Sequence, residues 1–132
     1  MNRLKGEVHS IAHHKELSLV KVQLSSDLIS SIIIDGPTEG SYLQVGHPIY
    51  VLFKETEVIL ALPYAKGISL QNQLLCQVRA IDKGQLRCRV ELIHPDGKIA
   101  SIITSKAVEQ LGLKPQMQVK AMIKTNEIML SE

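Results

Sequence analysis

Residues 29–34, ISSIII, and residues 99–104, IASIIT, are two versions of one apolar run placed 70 residues apart. Both runs are rich in β-branched Ile, which packs well on a pleated sheet and favours strand over helix. Both are also shorter than a typical buried helix. Each run therefore predicts a buried β-strand, and the chain contains that strand twice.

The same offset of 70 residues relates positions along nearly the whole chain. Matching pairs occur near the start, middle and end of the repeated unit: Asn2/Asn72, Val8/Val78, Val20/Val90, Ser31/Ser101, Lys54/Lys124 and Leu60/Leu130. Matches spread at a constant offset indicate a duplication. The sequence predicts a first module over residues 1–62, a linker over 63–71 and a second module over 72–132.

Each copy shows the pattern of five short strands. In the first copy, Val20, Val22 and Leu24 alternate with polar neighbours, as residues of a half-buried strand do. In the second copy, Pro-Asp-Gly at residues 95–97 predicts a hairpin turn before the run at 99–104.

A short helix is expected after the third strand. In the second copy Ser105 offers a cap, residues 106–111 suit a helix, and Gly112 suits a left-handed stop. The equivalent segment of the first copy, DGPTEG at 35–40, is a poor helix start. The predicted fold is all-β: two tandem OB-like five-stranded β-barrels, each with one short helix.

Composition narrows the protein class. Hydrophobic residues make up 45% of the chain and aromatic residues 3%, so the core must be aliphatic. No apolar run reaches the roughly 18–20 residues that cross a bilayer, and the N-terminus has no signal-peptide core. Cys76 and Cys88 show no metal-finger spacing, which predicts reduced thiols in a cytoplasmic protein rather than a structural disulfide.

Charge is distributed unevenly between the halves. Residues 1–65 carry five Lys and Arg against seven Asp and Glu, whereas residues 66–132 carry ten against six. The second half, at +4 against −2, is the better candidate for attracting an anion. The histidines lack convergent metal-ligand spacing, and no phosphate loop or catalytic motif is present, so neither a structural metal nor an enzyme is expected.

Four motifs of the second copy occur in an order that is known from one family. SLQNQL at 69–74 precedes IIT at 102–104, LGL at 111–113 and the late Lys124. This arrangement resembles the Mop, or TOBE, module of molybdate-binding proteins, and two modules in tandem resemble the di-Mop form found in molbindins. The first copy enters the same pattern at residues 2–8, NRLKGEV.

The resemblance implies an intracellular protein that binds molybdate or tungstate for storage or homeostasis, without catalysis. It also implies sites at interfaces between modules or subunits, and a homo-oligomer, with a trimer favoured over a dimer. The residues that match the oxyanion-binding positions, or lie next to them, are Ser69, Thr104, Ser105, Lys124, Thr125 and Lys54. The chain departs from the pattern at Gln71, where the family has Arg, and at Ile34, where the first copy lacks the equivalent of Thr104.

These residue types suit a tetrahedral dianion, which accepts hydrogen bonds from all sides. Hydroxyl groups, a lysine and the N–H groups at a helix start supply donors without negative charge. Structural roles compete with binding roles: Thr104 as a plain N-cap, Lys124 as a solvated turn residue and Ser69 as part of the linker. Ser31 and Ser101, like Asn2 and Asn72, are expected to make structural hydrogen bonds.

Two other functions compete with storage. The chain could act as an oxyanion-sensing domain through a separate regulator or transporter. It could also be an OB-type nucleic-acid binder, which would stack bases on aromatic residues in a basic groove. The second alternative has little support, because the chain has three Tyr, one Phe and no basic cluster in its sequence. No nucleic-acid or membrane partner is therefore expected.

Overall fold

The computed structural model describes residues 1–34 and 43–132, and within these ranges it has ten strands, one α-helix and two short 3-10 turns. The strands of the first copy are β1 Asn2–His14, β2 Leu17–Gln23, β3 Leu28–Ile34, β4 Pro48–Phe53 and β5 Ile59–Ala61. Those of the second are β6 Asn72–Lys83, β7 Arg87–His94, β8 Gly97–Thr104, β9 Gln118–Ile123 and β10 Met129–Ser131, with helix α1 at Ser105–Leu111.

The predicted all-β fold of OB-like five-stranded units is confirmed. Both copies bend their long first strand with a β-bulge at the same place, between Val8 and Ser10 in β1 and between Val78 and Ala80 in β6. A bulge bends the strand and increases its local twist, which helps the sheet to curve. The segment equivalent to α1 in the first copy falls on residues 35–42, outside the described residues.

The last strand of each copy lies in the sheet of the other copy. The first sheet has the order β10-β4-β1-β2-β3 and the second β5-β9-β6-β7-β8. The structural units therefore differ from the repeat boundaries at 1–62 and 72–132, because β5 and β10 have exchanged places. This exchange joins the two copies through backbone hydrogen bonds.

Two buried serines make hydrogen bonds to the segments that lead into the exchanged strands. Ser31 Oγ donates to the carbonyl oxygen of Ile128 at 3.0 Å, and Ser101 Oγ donates to that of Val58 at 2.9 Å. Both serines are fully buried. The expectation that they are satisfied strand residues is confirmed, and each one links a third strand to the exchanged segment of the other copy.

Two asparagines connect the copies in a reciprocal way. The Asn2 amide donates to Ala100 O at 2.9 Å and accepts from Ala100 N at 2.8 Å. The Asn72 amide makes the same pair of bonds with Ser30, at 2.9 and 2.8 Å. Since Ser30 and Ala100 are equivalent positions, the contact obeys the same two-fold relation as the repeat. The predicted structural role of both asparagines is confirmed.

The core is aliphatic, as the composition predicts. Among the described residues, the buried members are almost all Val, Leu and Ile, and Phe53 is the one large aromatic residue. In the turn between β7 and β8, Gly97 has a φ of 144°, which fits the turn predicted at residues 95–97. Gly112 ends α1 with a φ of 62°, as predicted for a left-handed stop.

A second link between the copies is asymmetric. His94 is buried in β7, its Nε2 lies 2.6 Å from Asp27 Oδ2, and its Nδ1 accepts from the Asp96 N–H at 3.1 Å. The Asp96 carboxylate in turn accepts from Ser25 Oγ at 2.8 Å. Because Nδ1 accepts a hydrogen bond, Nε2 carries the proton and donates it to Asp27.

Removing the Asp27 carboxylate should destabilise the protein. Asp27→Ala leaves the buried Nε2–H of His94 without an acceptor, so the free energy of unfolding should fall by about 1–3 kcal/mol. Equilibrium urea denaturation measures the change. Asp82→Ala, at an exposed carboxylate, should stay within about 0.5 kcal/mol of the wild type. Equal losses in the two variants would refute the structural role of the His94–Asp27 contact.

Candidate functional site

Thr104 is the last residue of β8 and caps α1. Its Oγ1 accepts a hydrogen bond from Ala107 N at 3.1 Å, and the residue is exposed. The cap is therefore Thr104, which confirms the N-cap role predicted for that residue, and the prediction of a cap at Ser105 is wrong. The physical reason is that Thr104 keeps extended β dihedrals, as an N-cap residue requires, whereas Ser105 is already helical. The hydroxyl proton of Thr104 remains available to a ligand.

Ser105 is occupied by the neighbouring hairpin. Its Oγ donates to Gly84 O at 2.8 Å, its backbone N–H donates to Leu86 O at 3.0 Å, and Cys88 Sγ lies 3.4 Å from the hydroxyl. A hydroxyl has one proton to donate, so this arrangement commits it within the protein. Ser105 holds the start of α1 against the β6–β7 turn.

Lys124 and Lys54 occupy the same conformation in the two copies. Each is exposed, follows the strand that pairs with the start of its copy, and precedes a short 3-10 turn, Thr125–Glu127 or Glu55–Glu57. In both, the lysine carbonyl accepts from the third residue of the turn at 3.0 Å. The two ammonium groups are thus presented by identical backbone frames.

The residue after each lysine distinguishes the copies. Thr125 follows Lys124, whereas Glu55 follows Lys54. The Glu55 carboxylate accepts two hydrogen bonds from Arg89, at 2.9 and 3.3 Å, and these bonds lower the pKa of Glu55 below its ordinary value. An ionised carboxylate beside Lys54 repels a dianion, whereas the hydroxyl beside Lys124 does not.

Strand pairing separates the candidate residues into two groups. Lys124 follows Ile123, which pairs with Asn72 at the start of β6, and Ser69 lies three residues before that strand. Thr104 lies at the level of the other end of β6, because β8 runs parallel to it. β6 has 12 residues and a contour of roughly 40 Å, so one small anion cannot contact both groups in one sheet.

Because of the strand exchange, the turn after each lysine packs on the third strand of the other copy. The turn after Lys54 packs on β8 of the second copy, and the turn after Lys124 packs on β3 of the first copy. β8 ends in Thr104, while β3 ends in Ile34. Thr104 and Lys124 therefore do not meet within one chain.

The cysteines are free and buried, so the prediction of reduced thiols agrees with the structure. Burial, with a smaller contribution from the Asp27 charge, raises the pKa of Cys76 from 9.0 to about 12. A thiol is nucleophilic only as its thiolate. Cys76 is therefore unsuited to nucleophilic chemistry at neutral pH.

The Cys76 thiol should be unreactive in the native protein, and its ionisation should affect stability at alkaline pH. In the native protein iodoacetamide at pH 8 should leave Cys76 unmodified, while in urea it should alkylate this residue fully; mass spectrometry of the peptide measures both. The Cys76 thiol has a higher pKa in the folded protein than in the unfolded chain. The free energy of unfolding should therefore fall as the pH rises from 9 towards about 12. Rapid native alkylation would contradict the burial of Cys76.

Comparison with known proteins agrees with the duplication and with the motifs. A TOBE domain model matches residues 68–130, which is the second copy together with Ser69. Molybdenum-pterin-binding protein 1 of Clostridium pasteurianum is 39% identical over 65 residues, 48% of this chain and 96% of that protein. The chain belongs to the Mop/TOBE family.

A relative and a solved structure extend over both copies of this Mop/TOBE chain. The molybdenum transport protein ModE of Azotobacter vinelandii is 25% identical over 114 residues, 85% of the chain, although the chain spans only 42% of ModE. The cytoplasmic molybdate-binding protein ModG, solved with molybdate bound, superposes with a TM-score of 0.91. That match has 26% identity and covers 98% of this chain and 94% of ModG.

Two contacts near the Mop/TOBE motifs could not be predicted from the sequence. The buried His94–Asp27 contact and the Glu55–Arg89 ion pair both join residues of different copies. A fixed offset of 70 residues reveals equivalent positions, but it carries no signal for contacts between unlike positions. Within the described ranges, no helix is long and apolar enough to span a membrane, and no group of three His, Cys, Asp or Glu could hold a metal ion.

Proposed function

We propose that this Mop/TOBE chain binds molybdate or tungstate as an intracellular store or buffer of the oxyanion. The observation that carries the proposal is the match to ModG over nearly the full length of both chains, with a TM-score of 0.91, in a structure that contains molybdate. The relatives are named for binding or transporting molybdenum, which supports a binding role rather than catalysis, and ModG is described as cytoplasmic.

The candidate binding residues are those that the family pattern selects in the second copy. The hydroxyl of Thr104 and the ammonium of Lys124 are both exposed and can donate hydrogen bonds. Thr125 adds a hydroxyl directly after the lysine, and Ser69 precedes β6, whose first residue pairs with Ile123. Hydrogen bonds to a charged group contribute roughly 1.5–3 kcal/mol each. A few such donors suffice for binding a dianion in the micromolar range.

We further propose that the complete site needs more than one chain. Thr104 lies at one end of β6, and Lys124 and Ser69 lie at the other. A homo-oligomer, for which we favour a trimer, brings the Thr104 end of one chain to the Lys124 end of its neighbour. In this arrangement the anion accepts hydrogen bonds from donors of two chains, and neither barrel has to change its fold.

An apolar groove beside the Lys124 turn supports such contact with a second copy of the chain. The groove has a volume of about 530 Å³ and is lined by Leu17, Ile32, Ile34, Asn126 and Met129, among others. Ile34 is 69% exposed in the single chain. Covering it with another subunit removes apolar surface from water next to the proposed half-site.

Isothermal titration calorimetry tests the proposal. Protein that has been dialysed free of oxyanions should bind molybdate and tungstate in a saturable manner, and should bind sulfate at least about tenfold more weakly because sulfate is smaller. Absence of binding, or equal affinity for sulfate and molybdate, would refute it. Tight binding of single-stranded oligonucleotides at low salt would instead favour the nucleic-acid alternative, which the comparisons do not support.

A further inference from the structure

The fold builds the same surface cleft twice, once at the β1–β2 hairpin and once at the β6–β7 hairpin. The cleft of the second copy, which we call the basic cleft, has a volume of about 310 Å³ and is lined by Lys83, Gly84, Arg87, Cys88, Arg89 and Ile102. The cleft of the first copy has about 210 Å³ and is lined by His13, His14, Leu17, Ser18, Leu19 and Ile32. Each of these residues lies 70 positions from its counterpart.

The two clefts differ in charge. Arg87 and Arg89 of the basic cleft stand where Leu17 and Leu19 stand in the first copy. Arg89 is already engaged, because its guanidinium donates to the Glu55 carboxylate. One carboxylate, Asp82, also lines the basic cleft. The side chains of Lys83 and Arg87 make no hydrogen bond or ion pair with any residue in 1–34 or 43–132.

The basic cleft adjoins Thr104. Arg87 and Thr104 are directly opposite each other in the β7–β8 ladder, so their side chains leave the same face of the sheet with Cβ atoms about 5 Å apart. In the first copy the equivalent pair is Leu17 and Ile34. Both members of the pair are polar in one copy and apolar in the other, as expected if they serve one ligand.

We propose that the basic cleft binds a small tetrahedral oxyanion, with Arg87 and Lys83 as its charged donors and the Thr104 hydroxyl at its rim. The forked guanidinium of Arg87 can donate two parallel hydrogen bonds to two oxygens of the anion, and Lys83 adds a point charge. The inference rests on the proposed oxyanion binding, and it adds two cationic residues that the family motifs do not include.

Arg87→Leu tests this inference, since it installs the residue that the first copy already holds in the same frame. Calorimetric titration with molybdate should show binding at least about tenfold weaker than in the wild type. The matched control Lys114→Leu removes one exposed positive charge elsewhere and should bind within about twofold of the wild type. Arg87→Gln, which keeps polarity but removes the charge, should behave like Arg87→Leu.

The outcomes separate the two proposals. If the wild type binds molybdate and both Arg87 variants bind it equally well, the basic cleft is wrong while oxyanion binding stands. An equal loss in Lys114→Leu would show a general charge effect and would also overturn the cleft. If the wild type binds neither molybdate nor tungstate, both proposals fail. Thermal melting of each variant verifies that the fold is retained.

Discussion

Asn72→Ala is expected to lower the free energy of unfolding by about 3 kcal/mol. The Asn72 amide is 1% exposed and satisfies both the N–H and the carbonyl of Ser30 in the third strand of the other copy. Truncation leaves the partly buried N–H and carbonyl of Ser30 without their amide partner, each costing roughly 1–3 kcal/mol before partial relaxation. Equilibrium unfolding in urea, followed by circular dichroism, measures the loss.

Asn2→Ala should cost a similar amount, since Asn2 makes the reciprocal pair of bonds with Ala100. Gln110→Ala is the control: Gln110 is an exposed amide residue of α1, away from the proposed contacts, and its truncation should change stability by less than about 0.5 kcal/mol. If Asn72→Ala were as mild as Gln110→Ala, the inter-copy amide contact would not stabilise the fold as the structure implies.

Lys124→Met is expected to weaken molybdate binding by about 10- to 100-fold. Removing one charge-assisted donor from a small anion costs roughly 1.5–3 kcal/mol. Lys54→Met should have a smaller effect, because the ionised Glu55 lies beside Lys54 where the second copy has Thr125. Calorimetry with both variants under identical conditions makes the comparison.

The comparison of the two lysines tests the asymmetry between the copies. Both occupy the same backbone frame, so a difference in effect comes from their neighbours and not from the fold. A larger loss in Lys54→Met than in Lys124→Met would show that the first copy, despite Ile34 and Glu55, supplies the main half of the site. Thr104→Val provides an additional check, since it removes one hydroxyl at nearly constant volume.

Much of the fold could be predicted because the information is local and repeated. Apolar runs such as 99–104 predict strands, and Gly112 predicts the end of α1, each from a few neighbouring residues. The offset of 70 residues then indicated that the five-strand pattern occurs twice. The buried Ser31 and Asn72 were expected to be structural because a polar group in an apolar strand must be satisfied.

The exchange of β5 and β10 could not be predicted in the same way. A short strand such as β10 has the same apolar pattern whether it pairs with β4 of the other copy or with its own copy. In a duplicated chain both pairings satisfy the same hydrogen bonds, so only the three-dimensional path between the copies decides between them. The family pattern selects both Thr104 and Lys124, but it does not show that they lie at opposite ends of β6 in one chain.

The sequence predicted which residues belong to the candidate site, but it did not predict how they are arranged in space. Thr104, Ser105 and Lys124 were selected by motif position. The structure then showed that the Ser105 hydroxyl donates to Gly84 and that Arg87 faces Thr104. Both facts depend on the register of the β7–β8 hairpin, which the motif positions do not contain.

Crystals grown with tungstate would locate the bound anion, because the anomalous scattering of tungsten identifies its position independently of the protein atoms. A site shared between chains predicts a peak between Thr104 and Arg87 of one chain and Lys124 of another, with no equivalent peak beside Ile34 and Leu17. A tungstate bound at Ile34 in the first copy, or no bound tungstate at millimolar concentration, would contradict it.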